Sequence, residues 1–113
     1  MKREAQVLKG HLDTLLLATL AAGPRHGYAV KEALRQASGT RFDLPTGTIY
    51  PALRRLESAG LVDGSWSVVG GRRRRTYALT GAGRRRLSGD RTAWRDFAST
   101  VTSILDAVPC RAT

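Results

Sequence analysis

The stretch that decides the fold is TGTIYPALRRLESAGL, Thr46 to Leu61. Ile49, Ala52, Leu53 and Leu56 fall at i, i+3, i+4 and i+7, the spacing of one inward stripe on an α-helix. The other side carries Thr46, Thr48, Tyr50, Arg54 and Arg55, so one edge is apolar and the opposite edge is hydroxyls and guanidinium groups. Pro51 is compatible with a helix that begins at Thr46 to Thr48, because first-turn N–H groups have no intrahelical partner. Gly60 is the natural stop.

Working outward, Leu8, Leu12, Leu15, Leu16 and Leu20 give a broad apolar face to a helix from about Val7 to Ala22, ended by Gly23-Pro24. A second helix runs from about His26 to Ser38, with Tyr28, Val30, Ala33, Leu34 and Ala37 as its buried side and Gly39 as its C′ residue. Downstream, LVDGSWSVV (Leu61 to Val69) reads as a strand, GGRRRR as a turn and TYALT as a second strand, which makes a β-hairpin. Thr80 can cap a last helix through about Val108. Three helices, a hairpin and a further helix are the order of a winged helix-turn-helix domain, mainly α with a small β-hairpin. The expected division is 1–80 for the winged domain with its N-terminal helix, 81–108 for a C-terminal dimerisation helix, and 109–113 for a tail.

That last helix carries a second pattern. Leu87, Trp94, Val101 and Val108 recur every seven residues, with Phe97 and Ile104 between them, a heptad seam from Trp94 onward. Ser88, Gly89 and Asp90 break it earlier and predict a bend or weak turn; Gly81 and Gly83 weaken the first turn. The seam, with Leu8, Leu12 and Leu15 of the first helix, is read as a dimer interface; the alternative is an intramolecular core helix.

The charge balance narrows the function. The 113 residues hold 19 Lys and Arg against 9 Asp and Glu, a net charge of +10, and the pI is near 11.2. Such an excess favours polyanions: DNA, RNA or an anionic membrane surface. Three of the cations are Lys (Lys2, Lys9, Lys31), so sixteen are Arg, whose planar fork suits phosphate and guanine. Length bounds the chain to one domain. LLLATLAA is too short to span a bilayer, so no membrane role is expected and a reducing cytoplasm is the default compartment. Cys110 stands alone, which excludes an internal disulfide and a Cys-based zinc site.

In a helix-turn-helix the second helix of the motif enters the major groove, so Thr46, Thr48, Tyr50 and Arg54 are the candidate DNA-facing residues. Arg72, Arg73, Arg74 and Arg75 at the hairpin tip gain by counterion release beside phosphates, although strand alternation prevents all four from pointing one way. A solvated loop is the plain alternative, and Arg84 to Arg86 fan around their helix as general field. His11 and His26 lack companions at ligand spacing, so no metal is expected, and neither a cofactor nor a catalytic constellation is expected. Trp94 fills an interface or, if two copies stand apart across the dimer axis, bounds an apolar slot for a flat aromatic ligand.

HGYAVKEAL, GTIYPALRRLESAGLV and GRRRRTYALTGAGRRRL, in this order, resemble the PadR family of bacterial transcriptional regulators, in its short form with a single C-terminal helix. The resemblance covers about Leu12 to Leu105. It implies a winged-helix homodimer on an inverted-repeat operator in double-stranded DNA, usually as a repressor. It also implies that Thr46, Gly47, Thr48 and Tyr50 lie on the recognition helix, that His26, Gly27 and Tyr28 open the preceding helix, and that Gly71 to Arg75 form the wing. Some members of that family bind planar aromatic effectors near the dimer centre, with an aromatic residue at the position of Trp94, and others have no known small-molecule ligand; Trp94 and Phe97 are the candidate ligand residues here. Two other classes remain open at this point: a non-specific nucleic-acid binder using charge alone, and a winged helix that binds protein.

Overall fold

The computed structural model describes residues 2–107. In chain order the elements are α1 (Lys2–Lys9), α2 (Leu12–Thr19), β1 (Arg25–His26), α3 (Gly27–Ala37), α4 (Thr46–Ser58), β2 (Val62–Val69), β3 (Arg72–Leu79) and α5 (Gly81–Ala107). The strands form one antiparallel sheet in the order β1-β3-β2. This is the winged helix-turn-helix architecture, with β2 and β3 as the wing.

The core lies where α2, α3, α4, the base of the wing and the start of α5 converge. Leu16, Leu17, Val30, Ile49, Ala52 and Leu53 are fully sealed, and Leu12, Leu20, Leu34, Leu56, Val62, Tyr77, Leu79 and Leu87 complete the cluster. Each large apolar side chain so buried contributes roughly 1.5–3 kcal/mol of transfer free energy. The inward stripe of α4 is therefore the one the periodicity predicts.

Several local expectations are corrected. The N-terminal helix is not continuous from Val7 to Ala22. It breaks at Gly10-His11, where His11 leaves helical geometry (φ −121°, ψ 3°), and α2 ends at Thr19. The leucine stripe carries on across the break, so spacing alone does not reveal it. Pro51 is the sixth residue of α4, not a first-turn residue, so the bond from residue 51 to the Gly47 carbonyl cannot form. Tyr28 is 51% exposed rather than buried, and Ala37 is exposed as well.

The wing is longer than expected. All four arginines belong to β3, and the turn is only Gly70-Gly71, both left-handed (φ 58° and 77°) as a two-residue type I′ hairpin requires. β1 is a third strand that the hairpin reading lacks; it pairs Arg25 with Tyr77 and His26 with Thr76.

Helix α5 runs for 27 residues and continues through Ser88, Gly89 and Asp90. The Asp90 carboxylate accepts hydrogen bonds from the Thr14 hydroxyl (2.6 Å) and from Arg86 (3.0 Å), tying α5 to α2. Thr80 caps the helix as predicted, accepting from the Gly83 N–H at 3.0 Å while donating to the Gly60 carbonyl at 2.7 Å. Gly83 is a packing requirement: a Cβ there would overlap the Leu61 carbonyl. Beyond Leu87 nothing in α5 is buried, and the helix projects from the body, stretching the molecule to 67 × 29 × 21 Å.

Candidate nucleic-acid interface

The two edges of α4 meet two environments. Ile49, Ala52, Leu53 and Leu56 face the core, while Thr46, Gly47, Thr48, Tyr50 and Arg54 are exposed on the opposite side. Arg55 is turned away and pairs with Asp13 of α2 at 3.2 Å. The exposed edge of α4, the start of α3 and the wing enclose an open groove of about 690 Å³. Tyr50, Arg54, His26, Gly27, Tyr28 and all four of Arg72 to Arg75 line it. Thr46, Gly47 and Thr48 lie on the first turn of α4 outside the groove wall.

The start of α3 is built around His26. Its Nδ1 accepts from the Ala29 N–H at 3.3 Å, the N-cap of α3. Its Nε2 lies 2.9 Å from Nη1 of Arg74. A neutral imidazole accepts at one nitrogen only, so the helix cap and Arg74 compete for His26. Gly27, the next residue, is buried beneath the Tyr50 ring. Tyr28 is exposed, with the Lys31 ammonium 5.7 Å from its ring centroid. The hydrogen bond from Lys31 to Asp43 (3.0 Å) holds that ammonium's pKa above its ordinary value.

The wing arginines alternate, as strand geometry demands. The register sets Trp66 opposite Arg75, Ser67 opposite Arg74, Val68 opposite Arg73 and Val69 opposite Arg72. Arg73 and Arg75 share a face with Trp66, whose ring has their guanidinium carbons 4.6 and 5.3 Å from its centroid. Arg74 shares the other face with Thr76 and reaches His26. Arg75 is paired with Glu57 of α4. Trp66 and Tyr77 line the groove and Glu57 pairs with its wing without being candidates in the sequence. The signal was there for Trp66, since alternation across a tight Gly-Gly turn pairs it with an arginine.

The seam residues stand apart from this groove. Trp94, Phe97 and Ile104 are 49%, 62% and 58% exposed, and Leu105 beside them is 70% exposed. Val101 is half-buried. The Trp94 and Phe97 rings lie 6.2 Å apart, and His11 meets Trp94 edge-on at 5.0 Å. A second open groove, of about 1310 Å³, runs between the N-terminal helices and α5, with Leu8, Leu15, Trp94 and Phe97 in its walls. Leu8 and Leu12 are corrected in one respect: both are only 8% exposed within the protomer, leaving little surface for another chain. Leu15 is half-buried against the core. Val108 and Cys110 lie outside the described residues.

Among the described residues no three His, Cys, Asp or Glu side chains gather as a metal site, and no helix is long and apolar enough to cross a membrane.

A three-helix core, a two-stranded wing and an exposed polar edge on the third core helix define a winged helix-turn-helix protein. Residues 16–89 match the family of PadR-like transcriptional regulators. The chain is 42% identical to a transcriptional regulator of Mycobacterium tuberculosis over 77 residues, 68% of this chain and 59% of that regulator. A PadR family regulator from Eggerthella lenta superimposes with a TM-score of 0.82 at 29% identity, covering 95% of this chain and 92% of the other. Bacillus subtilis PadR, solved in complex with operator DNA, shares the fold with a TM-score of 0.63 at 24% identity over 69% of this chain and 45% of its own. The chain belongs to the PadR-like family, whose members are transcriptional regulators and not enzymes.

Proposed function

We propose that the protein is a homodimeric, sequence-specific DNA-binding regulator that occupies an inverted-repeat operator and represses by blocking the promoter. The observation that carries this reading is the groove, where the exposed edge of α4 and a wing of four consecutive arginines enclose one open basic cleft. A major groove admits an α-helix, and its edges offer the acceptors and methyl groups that Tyr50, Arg54, Thr46 and Thr48 complement. Arg72, Arg73 and Arg74 supply phosphate contacts, and Tyr28 flanks the same cleft. Bacillus subtilis PadR, of the same fold, is known bound to operator DNA, which supports the same partner for this chain.

In this reading residues 1–80 form the DNA-binding unit and 81–108 the dimerisation arm. The exposed row of Trp94, Phe97, Val101 and Ile104 is the self-complementary surface, and Leu15 lines the groove that receives the partner's arm. An α5-mediated dimer places two copies of α4 in successive major grooves, about 34 Å apart. Trp94 and Phe97 would flank a slot for a planar aromatic effector, and occupancy of that slot would reset the α4 spacing.

Selection of bound sequences from a random duplex pool tests the proposal. The expected product is a palindromic consensus with half-sites one helical turn apart. Enrichment without symmetry, or none at all, would replace it with a charge-driven nucleic-acid binder or a protein-binding winged helix.

A further inference from the structure

We infer that Arg75 makes no DNA contact and serves instead, with Glu57, as a strut that fixes the distance between α4 and the wing. The inference rests on the DNA-binding reading above and divides the wing arginines by role.

Three elements build the strut. Glu57 falls on the α4 edge that carries Tyr50 and Arg54, at i+7 and i+3 from them, which a helix brings to one side. Arg75 comes from β3, and its Nη2 pairs directly with Glu57 Oε2. Both side chains are mostly withdrawn from solvent, at 30% and 29% exposure. From β2, Trp66 lays its ring beside the same guanidinium, 5.3 Å from centroid to carbon. Gly64, also on β2, leaves room for the pair: a Cβ there would come within 2.8 Å of both Arg75 Nη2 and Glu57 Oε2. The pair therefore occupies a space that α4, β2 and β3 shape together.

Arg73 differs on each count. It is exposed, lies two residues nearer the tip on the same face, and stacks over the same ring at 4.6 Å. Among the described residues it has no carboxylate partner. A guanidinium already matched by a carboxylate brings no net charge to a phosphate, and recruiting it would expose Glu57 to the DNA backbone. Arg73 has no such competitor. On the Trp66 face the wing thus offers Arg73 to DNA and keeps Arg75 as its root.

The salt dependence of binding separates the two roles, because each phosphate neutralised adds about 0.9 to the slope of log K against log salt. The probe is a short mixed-sequence duplex, titrated by fluorescence anisotropy at several potassium chloride concentrations. Arg73→Gln is expected to make the slope shallower by about 0.9. Arg75→Gln combined with Glu57→Gln, which removes the pair without leaving a bare carboxylate beside the DNA, should give a line parallel to that of the parent and displaced to weaker binding. A shallower slope for this double variant, equal to that of Arg73→Gln, would overturn the assignment while leaving the DNA reading intact. A parent protein that does not bind the duplex would overturn both.

Glu57→Gln, nearly isosteric and partly exposed, supplies the second arm. Releasing Arg75 should steepen the slope by up to about 0.9, and adding Arg75→Gln to it should restore the parental slope. A slope unchanged by Glu57→Gln, or still steep in the double variant, would contradict the strut.

Discussion

The ring of Tyr50 rests on the backbone of Gly27, so closely that a Cβ on residue 27 would fall 2.7 Å from Cε1 and 3.2 Å from Cδ1. The contact joins the first residue of α3 to the exposed edge of α4, and it gives a physical reason for a glycine between His26 and Tyr28. Gly27→Ala should push the ring out of place. The backbone there has no positive φ, and alanine is a better helix former, so stability should hold to within about 1 kcal/mol. Operator discrimination should fall. Unchanged discrimination, compared with a denaturant curve on the same sample, would mean the Tyr50 position is unimportant.

Tyr50→Ala should reduce the preference for operator over unrelated duplex more than it weakens binding to unrelated duplex. The expected cost is about 1–3 kcal/mol of discrimination for one base-edge contact. Competition titrations with both duplexes measure it, and equal losses on the two would argue that Tyr50 makes no base contact in the DNA major groove.

What could be read from the sequence follows where a residue's environment is set by local periodicity. The α4 stripe was legible because Ile49, Ala52, Leu53 and Leu56 need one buried side and nothing else. Arg72 to Arg75 read as a turn because four identical charged residues carry no alternation, although their backbone pairs as a strand along its whole length. β1 spans two residues, too short for any period. Asp90 reads as an interruption of the heptad seam because its partner, Thr14, lies 76 residues away in sequence. Of the candidate site, the hydroxyl and arginine edge of α4 was visible, whereas the Glu57–Arg75 pair and the Trp66 ring beside it depend on cross-strand register and on how the wing folds over α4.

Gly83→Ala tests the joint between α5 and the body. The methyl group would overlap a backbone carbonyl at Leu61, and a main chain held by the Thr80 N–H bond to the same oxygen (3.2 Å) cannot step aside freely. A loss of about 1–3 kcal/mol is expected from the overpacking, read by urea denaturation. A midpoint equal to the parent's would show that α5 shifts without cost.

Phe97→Glu tests the seam. The side chain is 62% exposed in the protomer, so the charge should leave the melting temperature of an isolated protomer nearly unchanged. At an apolar interface the same carboxylate would be buried without a partner, which costs several kcal/mol. Sedimentation velocity should show a protomer in place of a dimer. Retention of the parental dimer would exclude the Trp94–Phe97 face.

On the proposed function, the front edge of α4 reads base edges from the wide side of a duplex. Replacing single guanines or adenines of the selected half-site with their 7-deaza analogues removes the N7 acceptor there and leaves the narrow side untouched. The parent should lose roughly 1–3 kcal/mol of binding at the contacted positions, and Tyr50→Ala or Arg54→Ala should lose less at one of them. Full affinity for every 7-deaza duplex would contradict it.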